Sequence, residues 1–209
     1  MDRDRPAPWP TESVETVTDE RVFRLERVRR RSPRTGRSHE FLVLRAPDWV
    51  NVVAVTLDRR AVLVEQFRHG TARTTLEIPG GAIDPGETPE EAAARELEEE
   101  TGYRAGELVT IGVVEPNPAI LDNRCWTVLA LGCRPAGPQR PDPAEAITVR
   151  LVPFDELDAL IGRGEITHAL VVAAHDHLRR GLEGGAPWSR RIPAPPGDGG
   201  PEDGPPRTG

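Results

Sequence analysis

Hydrophobic and polar positions fall into short blocks along most of this chain, and the blocks predict strands. VFRLERV (22–28) and EFLVLR (40–45) flank a turn at SPRTG. WVNVVAVTL (49–57) is almost continuously apolar, as a strand buried on both faces would be. DRR (58–60) turns it tightly into AVLVEQF (61–67). TLEIP (75–79) reads as another strand, stopped by Pro79 and the Gly80–Gly81 pair. LVTIGVV (108–114), CWTVLAL (125–131) and ITVRLV (147–152) complete the set.

Three segments carry helical spacing instead. In the first, Thr88 and Glu91 make a T-x-x-E capping box and Pro89 occupies the first helical position. EEAAARELEEE follows with strong helix formers, and Gly102 supplies the stop. PFDELDALIG (153–162) and THALVVAAHDHLRR (167–180) are amphipathic. Strands interleaved with few helices predict an α/β or α+β class with a mixed sheet covered on both sides. Residues 1–18 are polar and proline-bearing and read as a flexible arm, with a β appendage over 19–48 and the main domain over 49–182. From Glu183 to Gly209, Pro and Gly make up about half of the residues, the composition of a disordered tail.

Composition narrows the function classes. A chain of 209 residues suits one domain with a small appendage. No apolar run reaches the ~18–20 residues of a membrane span, and the opening MDRDRPAPWPTESVE lacks a signal peptide's apolar stretch. A soluble, cytoplasmic protein is expected. On a strand, Cys125 and Cys133 would stand roughly 26 Å apart at about 3.3 Å per residue, too far for a disulfide. Free thiols fit a reducing compartment. The net charge of −7 argues against a nucleic-acid binder. That charge is uneven: residues 81–100 set eight acids against Arg95 alone, and residues 21–37 set eight arginines against Glu26. The chain has no lysine, so the arginine run reads first as a solvated face. Its last member, Arg37, is a candidate for an anionic ligand.

The acidic run poses a chemical question. Like charges three or four apart weaken a helix by ~0.2–0.5 kcal/mol per pair, yet RELEEETG (95–102) holds Glu96, Glu98, Glu99 and Glu100. Glu96, Glu99 and Glu100 are related by i, i+3 and i+4 and share a face; Ala93 and Leu97 mark a separate apolar stripe, and Glu98 points toward water. Three converging carboxylates are hard ligands suited to Mg²⁺ or Mn²⁺. The Gly80 carbonyl, at a turn where backbone can approach closely, is a further candidate ligand.

GAIDPGETPEEAAARELEEETGY (81–103) resembles the Nudix box: Gly, five residues, Glu, seven residues, Arg-Glu, apolar, any, Glu-Glu, any, Gly, apolar. Gly81, Glu87, Arg95, Glu96, Leu97, Glu99, Glu100, Gly102 and Tyr103 occupy those positions. The resemblance implies a Nudix-type α/β/α sandwich with a mixed sheet and a small N-terminal β appendage. It also implies a metal-dependent hydrolase of a nucleoside diphosphate linked to another group. Under it, Glu96, Glu99, Glu100 and the Gly80 carbonyl hold Mg²⁺ (Mn²⁺ as the alternative), Arg95 orients a glutamate, and Glu87 steadies the loop.

The flanks look most like the ADP-ribose and nucleotide-sugar pyrophosphatases. LVEQFRHG followed by LEIPGG makes Arg68 a candidate for the substrate diphosphate. Pro118 lies near a marker proline of that group. EAITV (145–149) resembles the stretch carrying its catalytic base, so Glu145 is the first candidate for that role and Glu99 the second. In that group the N-terminal strands commonly help build a homodimer, and Phe23 there is placed to meet a base. PNPAILDNR departs from the pattern, with Ala119 in place of a glycine and Asn123 near an expected acid. Competing readings are a Nudix enzyme for oxidised nucleoside triphosphates or dinucleoside polyphosphates, and a non-catalytic nucleotide sensor. Trp49 and Trp126 read as packing residues, His175 and His177 as surface residues, and Asp155, Glu156 and Asp158 as helix-capping acids.

Overall fold

Trp49–Thr56 (β4) is the spine of the molecule, and its side chains alternate between two cores. Val50, Val52 and Ala54 face one core, and Val53 and Val55 face the other. The computed structural model describes residues 5–195. Thr11–Asp19 (β1), Arg24–Arg31 (β2) and Ser38–Arg45 (β3) form a separate antiparallel sheet in chain order. The main sheet holds β4 with Arg60–Arg68 (β5), Arg73–Glu77 (β6), Gly80–Ala82 (β7), Tyr103–Arg104 (β8), Glu107–Val114 (β9), Cys125–Pro135 (β10) and Ile147–Pro153 (β11). Its order is β11-β5-β4-β10-β8, with β6 on β5, β7 on β4 and β9 on β10. The β4–β10 pair is parallel and the other described pairs are antiparallel, so the sheet is mixed.

Helices cover both faces. Pro89–Thr101 (α1) buries Ala92, Ala93 and Leu97 against Val50, Val52 and Val128. Leu157–Gly162 (α2) and Ala169–Glu183 (α3) close the other face with Leu157, Leu160, Val171 and Leu178. Fully burying a residue such as Leu97 is worth roughly 1.5–3 kcal/mol. No helix among the described residues is long and apolar enough to cross a membrane. Both cysteines are free and buried.

Four expectations need correction. Residues 11–18 are not a loose arm but most of β1. Its acids match the arginines of β2: Glu12 lies 3.3 Å from Arg29 and 2.5 Å from Arg31, and Glu15 lies opposite Arg27. Most of the arginine run is thus half of a charge-matched hairpin. The tail also orders further than its composition suggests. Trp188 and Ile192 are buried in the core, and Gly181 lets the Trp188 ring lie against α3, since a Cβ there would collide with it. The remainder of the expected disordered tail, 196–209, lies outside the described residues.

Residues 153–162 split into a 3₁₀ turn, Phe154–Glu156, and α2, with no side-chain cap at either start. Asp155 instead receives a two-bond grip from Arg59 at 2.9 and 2.6 Å, and Glu156 lies 3.4 Å from Arg163. Finally, His175 and His177 are half-buried. The His177 Nδ1 lies 3.1 Å from the Thr127 hydroxyl, and His175 packs beside Asp158 at 3.8 Å.

Candidate active site

Helix α1 begins with the reciprocal Thr88–Glu91 cap and ends at Gly102, whose φ of 72° is left-handed and therefore suits glycine. Acids in its last turn face the negative end of the helix dipole, which disfavours them. The structure resolves each one differently. The Glu98 carboxylate does not point free to water but lies 2.9 Å from Arg104 and 3.0 Å from Arg140. Arg95 serves Glu99 together with Glu96 and Glu87. Its guanidinium donates twice to Glu87 at 2.9 Å, to Glu96 at 2.7 Å, to Glu99 at 3.4 Å and to the Ala82 carbonyl at 2.9 Å. The Glu87 carboxylate also accepts from the Asp84 N–H at 3.0 Å. One arginine thus ties the loop before α1 to two glutamates on it.

Glu100 receives no arginine. It is 3% exposed and accepts one bond, from the Gly80 N–H at 2.9 Å. Burial, then the neighbouring Glu96 and Glu145 charges, push its carboxyl up to about 8, against the pull of the Gly80 bond. Burial likewise raises Glu96, although Arg95 offsets part of it. Gly81 is what lets Glu96 sit here: a Cβ at Gly81 would fall 2.6 Å from Glu96 Cδ. Glu99 remains half-exposed. Among the described residues, no group of three or more His, Cys, Asp or Glu side chains is arranged as it would be around a metal ion. Glu100, buried without an arginine bond, and the neighbouring Glu96 and Glu99 are oxygen donors of the hard type that a divalent cation takes.

Glu145 reaches this cluster because its loop is fastened to the end of α1. The Arg140 N–H donates to the Glu99 carbonyl at 2.7 Å, the Gln139 amide to the Glu100 carbonyl at 2.5 Å, and the Ala136 N–H to the Gly102 carbonyl at 2.8 Å. These bonds satisfy carbonyls that a helix end leaves open. The Glu145 side chain is exposed and close enough to raise Glu96 and Glu100 and to act on Arg68.

Two clefts meet at this edge. One, of about 310 Å³, is lined by Trp49, Asn51, Arg68, Gly80–Ala82, His168 and Leu170. The other, of about 730 Å³, is mostly apolar. It runs between the N-terminal sheet and the main domain past Phe23, Leu44, Pro47, Ile83 and Pro85, with Trp49 and Ala82 on its wall too. Arg68 therefore comes to the acidic edge, and Phe23 lines the cleft that adjoins it through Trp49 and Ala82. Pro118 and Arg37 do not. Pro118 lines a groove elsewhere with Trp9, Phe41 and Arg45, and Arg37 sits in the β2–β3 turn, where its carbonyl accepts from Ser32. Trp126 is fixed by a bond from its Nε1 to Asp48 at 3.1 Å.

Sequence reasoning missed four residues. Trp49 separates the clefts rather than only packing. Buried Glu77 accepts two bonds from Arg68, and His168 Nδ1 lies 3.2 Å from the same carboxylate. Asn51 is the polar interruption of the apolar WVNVVAV run, and that interruption was the signal. Nothing near His168 in the sequence marks it.

A family model described as the NUDIX domain matches residues 47–174. The ADP-ribose pyrophosphatase of Bacillus subtilis (strain 168) is 33% identical over 145 residues, 69% of this chain and 78% of that one. The ADP-ribose pyrophosphatase of Mycobacterium tuberculosis (strain ATCC 25618 / H37Rv) is 32% identical over 167 residues, covering 79% and 80%. Among solved structures, an ADP compounds hydrolase superposes with a TM-score of 0.77 at 26% identity, over 88% of this chain and 98% of that one.

Proposed function

Since the chain belongs to the Nudix family of hydrolases, we propose that it cleaves the diphosphate bridge of an ADP-sugar, with ADP-ribose the leading substrate. The products are then AMP and a sugar phosphate. The observation that carries the reading is a pair of acids beside Gly80 and Gly81, two glycines that line the smaller cleft: Glu100, buried with the Gly80 N–H as its partner, and Glu96, half-buried against Gly81 and paired with Arg95. A linear substrate with a base at one end, a diphosphate in the middle and a sugar at the other suits that shape.

Glu96, Glu99, Glu100 and the Gly80 carbonyl would hold the divalent metal, Mg²⁺ in the first instance. Bound there, it would neutralise the diphosphate and acidify a water. Arg95 keeps Glu96 and Glu99 on the edge and fastens the preceding loop through Glu87. Arg68, braced by Glu77, faces a phosphate oxygen from the smaller cleft. Phe23 and Trp49 offer aromatic surface to the base.

In the reaction a water oxygen forms a bond to one phosphorus, Glu145 accepts the proton, and the bridging P–O bond breaks with its electron pair staying on the departing phosphate. Glu99 is the alternative base. Exposed Val14 and Phe41, both register partners of Val28 and so on one face of the N-terminal sheet, support a homodimer through that face.

The test is product identification. Purified protein with Mg²⁺ is offered ADP-ribose, ADP-glucose, a dinucleoside polyphosphate and 8-oxo-dGTP. AMP and ribose 5-phosphate from ADP-ribose are expected, and cleavage of the triphosphate alone would overturn the reading.

A further inference from the structure

We infer that Asn51 is a specificity-determining residue, its side-chain amide donating to an oxygen of the sugar half of the substrate in the cleft bounded by Trp49, Arg68 and His168. The inference rests on the diphosphate-cleaving reading above and assigns the two ends of the substrate to the two clefts.

Asn51 lies in the middle of β4, opposite Gly80 of β7 and beside Thr127 of the parallel strand β10. Its side chain is on the same face as Trp49, two residues earlier, and opens into the smaller cleft with it. The residue is 8% exposed, and its Nδ2 is buried without a hydrogen-bond partner. A buried amide left unpaired costs about 1–3 kcal/mol, and Val50, Val52 and Val53 around it show that the strand accepts apolar residues here. An unpaired donor on a residue that lines a cleft has its natural partner in a ligand, which a turn of the side-chain amide would bring it to.

The two clefts differ in chemistry. Phe23, Leu44, Pro47, Ile83 and Pro85 line the larger one and suit the flat face of a base. The smaller one presents Arg68, Asn51 and His168, polar groups that suit hydroxyl and phosphate oxygens. Gly80 and Gly81 form its floor next to Glu96 and Glu100, so a diphosphate at the acidic edge would put whatever follows it beside Asn51. A site built to bond a substrate hydroxyl rejects an analogue lacking one far more strongly than an apolar pocket rejects an added hydroxyl.

The experiment compares three substrates sharing the ADP half: ADP-ribose, ADP-glucose and the P2-butyl ester of ADP. Steady-state kcat and KM are measured with Mg²⁺ for the wild-type chain and for Asn51→Leu, with melting temperatures recorded in parallel. Asn51→Leu is expected to lose roughly tenfold in kcat/KM on ADP-ribose and less than about twofold on the butyl ester. Its melting temperature should not fall, because no intramolecular bond from Nδ2 is lost. Asn51→Thr, which keeps a donor at similar size, should retain an intermediate preference for the sugar. It carries the same comparison if the leucine variant folds poorly. Equal losses on all three substrates, or no loss on ADP-ribose, would overturn this inference while leaving the diphosphate reading intact. A wild-type chain that cleaves none of the three would overturn both.

Discussion

Arg68 and Glu77 form a two-bond pair, Nε to Oε1 at 2.9 Å and Nη2 to Oε2 at 2.8 Å, between a half-exposed guanidinium and a carboxylate that is 2% exposed. Thr75 adds a third bond to that carboxylate at 2.5 Å. The pair spans β5 and the end of β6, and its open side is the smaller cleft. Glu77 lies behind Arg68 and, on the proposed reading, positions the guanidinium that would meet the diphosphate. In Glu77→Gln the amide accepts at one oxygen only, so the fork is lost. We expect about 2 kcal/mol of destabilisation for a bond to a charged group, read as a melting temperature lower by roughly 4–8 °C. The KM for ADP-ribose should rise more than kcat falls, since the chemistry at Glu96 and Glu100 is untouched. Arg68→Lys keeps the charge but not the fork and should show the same split with a smaller thermal effect.

The same carboxylate sets a pH dependence. Burial pushes the Glu77 carboxyl up, but bonds from Arg68 and Thr75, with His168 close by at 3.2 Å, outweigh it and hold the group far below the usual carboxylate range. A folded-state pKa below the unfolded value near ~4.3 means that the contribution is complete above that pH. As pH falls further, the unfolded chain takes up a proton that the folded chain does not, and the contribution is lost. Thermal melts between pH 7 and pH 3 should show a steeper acid-side decline for the wild-type chain than for Glu77→Gln. Parallel declines would assign the acid sensitivity to other carboxylates.

Cation response separates Glu100 from the arginine-paired glutamates. Because Glu100 is buried with a single N–H partner, Glu100→Gln keeps that bond and replaces a carboxyl whose ionised form burial disfavours. The variant should melt no lower than wild type when EDTA is present. Adding Mg²⁺ at about one hundred times its dissociation constant should stabilise the wild-type chain by about 2.7 kcal/mol, or roughly 5–10 °C. Glu96→Gln and Glu100→Gln should lose most of that rise and most of the turnover, and EDTA should abolish wild-type turnover. Undiminished activity in EDTA would remove the cation from the scheme.

The two candidate bases make opposite predictions. Glu145 is exposed on a loop fastened to the end of α1, whereas Glu99 is held 3.4 Å from Arg95. If Glu145 takes the proton, Glu145→Gln lowers kcat by about 10²–10⁴ and leaves KM nearly unchanged. Glu99→Gln then weakens Mg²⁺ dependence more than it lowers kcat at saturating metal. The reverse assignment of these effects would make Glu99 the base.

Local pattern carries most of the architecture because each element announces itself within a few residues. The Thr88–Glu91 cap, the Gly102 stop and the apolar run of β4 are all short-range signals. That Glu96, Glu99 and Glu100 share one side of α1 was legible for the same reason, since it follows from helix geometry alone. Pairing over long sequence distances was not legible. β1 looks like a polar arm until its acids are set against the arginines of β2, and Trp188 looks like part of a polar tail until α3 offers Gly181 beneath its ring. His168 reaches Glu77 from about ninety residues downstream. Arg37 shows the opposite error, since a local run of positive charge said nothing of where the turn carrying it would lie.

Gly81→Ala tests how tightly the acidic edge is built. The residue pairs with Val50 across β7 and β4, and its missing side chain is the space that the Glu96 carboxylate occupies. An alanine Cβ would stand 2.6 Å from Glu96 Cδ and 2.8 Å from Oε2, well inside contact distance, so Glu96 must swing away. That movement would also pull on Arg95, which holds Glu96 at 2.7 Å together with Glu87 and Glu99. The displaced partner is the end of a side chain, so overpacking should cost no more than about 1–3 kcal/mol of stability. Activity should suffer more. A carboxylate moved by an ångström from its productive position can cost about 10²-fold in rate, so kcat should fall by about that factor while the melting temperature drops by only a few degrees. A second change, Glu96→Asp on the Gly81→Ala background, shortens the acid by one methylene, relieves the clash and should recover part of the stability but little of the rate. Full activity in Gly81→Ala would mean that the position of Glu96 is not what the reaction depends on.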